Sequence, residues 1–211
     1  MIRNDTVAYY DNPDNNYATK TINADMSQVY SHFLKYLPEK ASILDAGCGS
    51  GRDSLFFINE GFVVTAIDAS KVMCDAASKT INQPVLHQNF YEINFDHCFD
   101  GIWACASLLH IPEADLPMIL QRMFTSLLSG GVLYASWKYG KFERVEEGSG
   151  RFFCDMDECK IKMILSDFPD VCLKECWISN DVRDKQNDQK WINVIIEKSE
   201  LQIMPKVQIT G

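Results

Sequence analysis

A short glycine-rich segment constrains the fold of this chain more than any other feature. Residues 42–51 read Ser-Ile-Leu-Asp-Ala-Gly-Cys-Gly-Ser-Gly, so that an apolar run ends in an acid and three glycines follow at alternate positions. A helical pattern begins directly afterwards at Arg52. Glycine lets the backbone turn sharply and approach a ligand where a Cβ would clash, and amides at the start of a helix face that ligand. The segment predicts a strand, a glycine turn and a helix beside a nucleotide-type pocket.

Apolar runs alternate with segments of helical period up to residue 137, which predicts parallel strands with helices on both faces. Ser70 is a predicted N-cap, and the last helix of this part is expected to stop at Gly130. The predicted strands cover residues 42–45, 62–67, 85–88, 101–106 and 132–137.

The pattern changes after residue 137. Residues 138–150 are polar and contain glycine, which predicts a loop. Asp155 and Glu158 have the spacing of a capping box and predict a helix. Two further strands are predicted near residues 172–178 and 190–197, and they form an antiparallel pair because no helix joins them.

The glycine spacing separates two kinds of pocket. Gly47 and Gly49 match the first two positions of the dinucleotide fingerprint G-x-G-x-x-G, but Arg52 stands at the third. An acid followed by G-x-G-x-G, as in Asp45 to Gly51, resembles motif I of the class I S-adenosylmethionine-dependent methyltransferases. The continuation Gly-Arg-Asp-Ser at residues 51–54 is similar to that of tellurite-resistance-type methyltransferases.

The resemblance implies an α/β fold, with a Rossmann-like, mostly parallel seven-stranded sheet, helices on both faces and an antiparallel C-terminal strand pair. It also implies a single methyltransferase domain over residues 1–198 and a tail over 199–211. Within that domain, we expect an N-terminal lid and helix (1–37), a cofactor-binding core (41–137) and a substrate-shaping segment with the last strands (138–198).

In open α/β sheets a ligand binds beyond the carboxyl ends of the strands. Asp68 ends the second strand, 23 residues after Asp45, and is expected to accept hydrogen bonds from ribose hydroxyls. With the resemblance, this places S-adenosylmethionine, and its product S-adenosylhomocysteine, on a set of cofactor-binding residues: Asp45, Gly47, Cys48, Gly49, Gly51, Arg52, Asp68, Ala69, Met73, Asn89, Phe90, Ala106 and Leu109.

The acceptor side is less constrained by the sequence. His110 follows the fourth strand and is the candidate general base, with a purely structural role as the alternative. Tyr17 is the expected contact from an N-terminal lid, and Arg151 and Arg183 would favour an anionic acceptor. We therefore expect methyl transfer to a small molecule, with a thiol or a tellurite-type oxyanion as soft or anionic examples. A thiolate or an oxyanion would need no base.

Composition narrows the partners. The formal net charge is -9 without a long Lys/Arg cluster, which argues against nucleic acid. No apolar run reaches the length of a membrane span. The eight cysteines contain no C-x-x-C pair, so we expect free thiols, no metal and a cytoplasmic protein, either a monomer or a homodimer.

Two other functions remain open at this point. A nicotinamide-dependent oxidoreductase shares the strand, turn and acid, although Arg52 replaces its third glycine. A non-catalytic regulatory protein that binds S-adenosylmethionine would keep the same pocket.

Overall fold

The computed structural model describes residues 4–182 and 188–199. Its strands are β1 (Ser42–Ala46), β2 (Val63–Asp68), β3 (Leu86–His87), β4 (Phe99–Ala104), β5 (Leu127–Lys138), β6 (Glu143–Val145), β7 (Phe152–Cys154), β8 (Val171–Asn180) and β9 (Lys190–Lys198). Its α-helices are α1 (Asn4–Asp11), α2 (Tyr17–Thr21), α3 (Ser27–Leu34), α4 (Arg52–Asn59), α5 (Lys71–Ile81), α6 (Leu116–Ser126) and α7 (Glu158–Leu165).

A seven-stranded sheet in the order β3-β2-β1-β4-β5-β9-β8 forms the centre of the protein. The first five strands in this order are parallel, whereas β9 is antiparallel to both β5 and β8. The predicted fold class and the antiparallel C-terminal pair are confirmed. The strand order reverses between β1 and β4, where a ligand crevice is expected in a sheet of this kind.

Burial explains why the central strands read as apolar runs. Four of the five residues of β1 are buried, as are most of β4 and β5, because helices cover both faces of the sheet. On one face, α3 packs its Phe33 against Trp103 of β4, and both side chains are fully buried. The larger apolar cluster lies on the other face, around α6 and β5.

The end of α6 differs from the prediction. The helix stops at Ser126, and the glycine pair lies inside β5 instead of ending the helix. Gly130 has φ +77°, and the β4–β5 register shifts between Phe99 and Gly101. The glycines therefore form a bulge in β5. In the sequence, a glycine pair at a bulge looks the same as a glycine pair that ends a helix.

Two boundaries after residue 137 also differ. The N-cap of α7 is Asp157, whose side chain accepts from the Lys160 amide, and Asp155 instead pairs with Arg144. Part of the predicted loop forms β6, which pairs with β7 in a separate two-stranded sheet. Strands of three residues carry too few alternating positions to stand out in the sequence.

Helix α1 is tied to two different parts of the structure. At one end, Thr6 accepts a hydrogen bond from the Phe152 amide of β7 at 3.0 Å. At the other, Asp11 accepts from the Ser70 hydroxyl at 2.6 Å and the Val72 amide at 3.3 Å, at the start of α5. The helix thus bridges the first and second halves of the chain over the carboxyl ends of the strands.

Within the described ranges, no helix has the length and apolar character to cross a membrane.

Candidate functional site

The glycine loop between β1 and α4 has one close contact and one open position. A Cβ on Gly47 would lie 2.5 Å from the Ser107 Cβ, so that only glycine lets β1 end this close to the β4 end. Gly49 lines a cavity, and a Cβ there would meet no atom within 4 Å. Both have positive φ. The loop therefore packs against Ser107 at Gly47 and leaves room for a ligand at Gly49.

Asp68 is fixed at the edge of this cavity by two amides. Its Oδ2 accepts from Gly49 N–H at 2.9 Å and its Oδ1 from Ser70 N–H at 2.8 Å. Burial raises its pKa, whereas these amide hydrogen bonds lower it. Each carboxylate oxygen can accept a further hydrogen bond. The arrangement fits a ligand that presents two neighbouring hydroxyls, as a ribose does.

Asp45 lies beneath the cavity and is not among the residues that line it. It is 2% exposed and accepts a hydrogen bond from the Ser54 hydroxyl of α4 at 2.5 Å. Burial and the neighbouring Asp53 carboxylate raise its pKa. This position favours a role in orienting the glycine loop over the expected direct contact with the cofactor.

Arg52 lines the cavity, but its guanidinium is already held by another carboxylate. Its Nε and one terminal nitrogen donate to Asp53 at 2.6 and 2.9 Å, and the other terminal nitrogen donates to the Thr21 carbonyl at 3.2 Å. Asp53 also accepts from Tyr30 at 2.6 Å and Trp103 at 2.8 Å. Because an arginine has five N–H donors, two remain for a ligand.

The remaining residues of the expected cofactor set come together from several elements. Met73 of α5 and Phe90 are buried and line the cavity. Asn89 also lines it, but its side chain accepts from the Tyr91 amide in a capping box with Glu92. Cys48, Ala69, Ala106 and Leu109 also line the cavity, whereas Gly51 does not and instead packs against Ala77, whose Cα would lie 3.0 Å from a Cβ at that position.

The end of β4 carries a strained backbone. Ala106 has φ +51°, a conformation that an alanine adopts only at a cost of about 1 kcal/mol. Its amide donates to the Ser136 hydroxyl at 2.8 Å, and the Ser107 hydroxyl donates to the Ala46 carbonyl at 2.7 Å. These hydrogen bonds from neighbouring strands hold the turn against the cavity.

His110 lines the cavity together with Tyr10 of α1. Its Nδ1 lies 2.6 Å from the Phe152 carbonyl, which can only accept, so Nδ1 carries the proton. The neutral Nε2 therefore accepts from the Tyr10 hydroxyl at 2.8 Å. Burial lowers the pKa of His110 to about 4. A proton from a substrate would therefore reach the His110 imidazole through the Tyr10 hydroxyl. The sequence alone did not predict the pairing of Tyr10 with His110.

The second half of the cavity is aromatic and cationic. Arg151 donates to Glu146 at 2.6 Å, and its guanidinium lies over the Tyr9 ring at 4.3 Å. Lys138 lies over the buried Phe153 ring at 3.7 Å. The other expected acceptor contacts are Tyr17, whose ring packs edge-on against Tyr10 and lines the cavity, and Arg183, which lies outside the described residues.

Sequence reasoning missed Asp53, Lys138, Trp191 and Asn193 as cavity residues. Asn193 is 2% exposed and accepts from the Tyr134 hydroxyl at 2.8 Å. The last strands could have offered a signal, since polar Asn193 interrupts the apolar run of β9.

In the part of the chain that the structure describes, no group of His, Cys, Asp and Glu is arranged to hold a metal ion.

Comparisons with known proteins agree with this geometry. A family model described as a methyltransferase domain matches residues 43–131, from β1 into β5. A Bacillus subtilis (strain 168) protein named as a methyltransferase, YqeM, is 33% identical over 129 residues, which are 58% of this chain and 52% of the relative. The chain spans about half the length of the curated relatives it matches.

Solved structures share the fold. A Burkholderia thailandensis 1,6-didemethyltoxoflavin-N1-methyltransferase, with 1,6-didemethyltoxoflavin and S-adenosylhomocysteine bound, has a TM-score of 0.74 at 20% identity and covers 93% of this chain and 86% of its own. The magnesium protoporphyrin IX methyltransferase of Synechocystis PCC 6803, with S-adenosylmethionine bound, has a TM-score of 0.69 at 17% identity, over 94% and 99% of the two chains. Residues 43–131 thus match a methyltransferase-domain model, and the chain has the Rossmann-like fold of these structures; a close relation to tellurite-resistance enzymes is not among these findings.

Proposed function

We propose that this chain transfers a methyl group from S-adenosylmethionine to a small-molecule acceptor. The observation that carries the proposal is Asp68, whose two oxygens are fixed by the Gly49 and Ser70 amides at the rim of the glycine-loop cavity. A carboxylate held in this way is pre-organised to accept two ribose hydroxyls. The methyltransferase-domain match over residues 43–131 supports the same reading.

The other groups around the glycine loop suit the rest of this cofactor. Met73 and Phe90 supply apolar surface beside Asp68, and a thioether packs well on an aromatic ring such as adenine. At the opposite side, the two remaining N–H donors of Arg52 suit a carboxylate. When bound, S-adenosylmethionine supplies a methyl group on a cationic sulfonium, which is activated for transfer to a nucleophile.

We assign the acceptor to the part of the cavity that is lined by Tyr10, Tyr17, His110 and the ends of β5 and β9. Thr6, Val7 and Tyr10 of α1 line the cavity, and this helix would limit the access of water to a reacting pair. The cavity lies between packed elements of one chain, and a small molecule fits such a space better than a macromolecule does. The bound ligand of the Burkholderia thailandensis enzyme, a small molecule, agrees with this assignment.

The proposed chemistry needs little from the protein beyond alignment. Two reacting atoms held at about 3 to 3.5 Å in line gain much of the rate from orientation alone. Since the Nε2 of His110 already accepts from Tyr10, a nucleophile that is deprotonated in solution suits the site best. A thiolate and a tellurite-type oxyanion both belong to this class.

Calorimetry with S-adenosylhomocysteine tests the cofactor assignment. The wild-type protein is expected to bind it in the micromolar range, and Asp68→Ala should weaken binding by about tenfold or more, because hydrogen bonds to a charged group are lost. Asp75→Asn is the matched control, since Asp75 lies exposed on α5 and pairs with Lys71. A folded wild-type protein that fails to bind would refute the proposal.

Turnover separates an enzyme from a protein that only binds the cofactor. The protein is incubated with S-adenosylmethionine carrying a deuterated methyl group and, in separate reactions, with small thiols, tellurite or a mixture of low-molecular-weight metabolites. The expected result is S-adenosylhomocysteine together with one labelled product, both detected by mass spectrometry. Binding without labelled product in any reaction would favour the regulatory alternative.

A further inference from the structure

Three cationic side chains surround one buried ring in the acceptor half of the cavity. Lys138, Arg144 and Arg151 lie at 3.7, 5.3 and 5.1 Å from the centroid of the Phe153 ring. Phe153 is 3% exposed and lines the cavity. A grouping of three positive charges is unexpected in a chain with a net charge of -9.

Two of these cations have a carboxylate in hydrogen-bond contact, and the third does not. Arg151 donates to Glu146 at 2.6 Å, and Arg144 donates to Asp155. The Lys138 ammonium lies 3.8 Å from Glu146, beyond hydrogen-bond distance, and makes no hydrogen bond to any residue in the described ranges. Its side chain is only 14% exposed, so water satisfies it incompletely.

The register of the sheet places Lys138 beside an aromatic wall. Lys138 of β5 is the direct partner of Trp191 of β9, and partners in an antiparallel pair project to the same face. Both residues line the cavity, and the Lys138 ammonium also lies over the Phe153 ring. A ligand group that meets Lys138 therefore has aromatic side chains nearby.

We propose, on the basis of the function proposed above, that Lys138 anchors an oxyanion carried by a ring-containing acceptor. The ammonium would donate to a carboxylate or phenolate oxygen, and the ring of the acceptor would lie along Trp191 and Phe153. Lys138 is then the specificity-determining residue for acceptor charge. Burial and the two neighbouring arginines lower the pKa of Lys138, and a bound anion would oppose that shift.

Binding of matched ring probes tests this assignment. 2-Naphthoate and its neutral isostere 2-naphthamide are titrated by calorimetry, each with and without saturating S-adenosylhomocysteine. The wild-type protein should prefer the naphthoate by about tenfold, the discrimination expected from one charge-assisted hydrogen bond. In Lys138→Met, which keeps an unbranched stem over the Phe153 ring, the two probes should bind within about twofold of each other.

Two further variants isolate the charge at this position. Lys138→Arg should keep most of the preference for naphthoate. Lys141→Met removes one positive charge from a side chain that is 71% exposed and outside the cavity lining, and it should bind both probes as the wild type does.

The outcomes distinguish this inference from the proposed function. A preference for naphthoate that survives in Lys138→Met would overturn the inference, as would equal binding or no binding of the two probes by the wild type. If S-adenosylhomocysteine still binds in those cases, the proposed methyl transfer is not refuted, and only the assignment of an acceptor that carries an oxyanion is wrong. Failure of the wild type to bind S-adenosylhomocysteine would instead refute the proposed function itself.

Discussion

The Tyr10 hydroxyl and the His110 imidazole form a hydrogen bond of 2.8 Å across a sequence separation of 100 residues. The bond joins α1 to the end of β4, and the Phe152 carbonyl fixes the proton on the opposite nitrogen of the ring. His110 thus holds a neutral, defined tautomer with both nitrogens satisfied.

Removing the Tyr10 hydroxyl should destabilise the protein. In Tyr10→Phe, the buried Nε2 of His110 loses its donor, and an unsatisfied buried acceptor costs about 1 to 3 kcal/mol. Tyr9→Phe is the control, because the Tyr9 hydroxyl makes no hydrogen bond to any residue in the described ranges. Urea unfolding of both variants measures the difference. A double-mutant cycle with His110→Gln should return a coupling energy of about 1 kcal/mol, and additive single effects would contradict the pairing.

The depressed pKa of His110 predicts a stability that depends on pH. The imidazole titrates near 6.5 in the unfolded chain and at about 4 in the folded protein. Between these values the unfolded state binds more protons, so stability contributed by His110 is complete above pH 6.5 and is lost as the pH falls to 4.

The size of this loss should be on the order of 2 to 3 kcal/mol. Urea unfolding of the wild type and of His110→Gln at pH 7 and pH 4.5 measures how much unfolding free energy each protein loses. The difference between the two losses belongs to His110, because the titration of other groups, such as Asp45 and Asp68, is common to both proteins. Parallel pH dependence in the two proteins would contradict the assignment.

The glycine loop predicts unequal effects of two similar substitutions. Alanine at Gly49 costs about 1 kcal/mol because of its positive φ, since nothing lies within 4 Å of the added Cβ. Alanine at Gly47 carries the same strain and also meets the Ser107 Cβ at 2.5 Å, so we expect a total of about 2 to 4 kcal/mol. Thermal and urea unfolding compare the two variants. An equal loss would mean that Ser107 moves aside freely.

Asp53 should be the most sensitive polar residue of the core. Its carboxylate accepts hydrogen bonds from Arg52, Tyr30 and Trp103, and it is 7% exposed. Asp53→Asn places an N–H₂ group among donors and removes the charge opposite Arg52, which should cost about 3 to 5 kcal/mol of unfolding free energy. The exposed Asp167→Asn is the control and should unfold as the wild type does. A loss below about 1 kcal/mol would show that the network rearranges.

The docking of α1 through Asp11 can be tested by hydrogen exchange. Asp11→Asn replaces the charged acceptor of the Ser70 hydroxyl and the Val72 amide, which should raise the exchange rate of residues 4–11 by about tenfold. Asp14→Asn changes an exposed acid after the helix and should leave that rate unchanged. Faster exchange in both variants would point to a general effect of charge instead.

The fold was predictable because its signals are local. The apolar run before Asp45, the glycine loop and the alternation of strands and helices lie within short windows, and Ser70 caps α5 as expected, accepting from Met73 at 3.1 Å. The glycine pair in β5 misled the prediction for α6, because a bulge and a helix end use the same residue type.

The acceptor half was not predictable for a physical reason. Lys138 meets Trp191 only through the β5–β9 register, and it meets Phe153 only through a hairpin of two three-residue strands. The amide oxygen of Asn89, one of the expected cofactor-binding residues, also caps a short helix, in a capping box with Glu92. The expected cytoplasmic location, the domain limits and the oligomeric state stay predictions.

The hydrogen bonds of Asp11 and Thr6, which anchor α1 at two places, affect how ligands enter and leave the site. One anchor lies on α5, beside the proposed cofactor, and the other on β7, beside the proposed acceptor. The proposed methyl donor and acceptor would thus share a single cover, and neither product could leave along that side while both anchors hold. Under the proposed function, we expect the release of the two products to be coupled, because both depend on the lifting of the same eight residues.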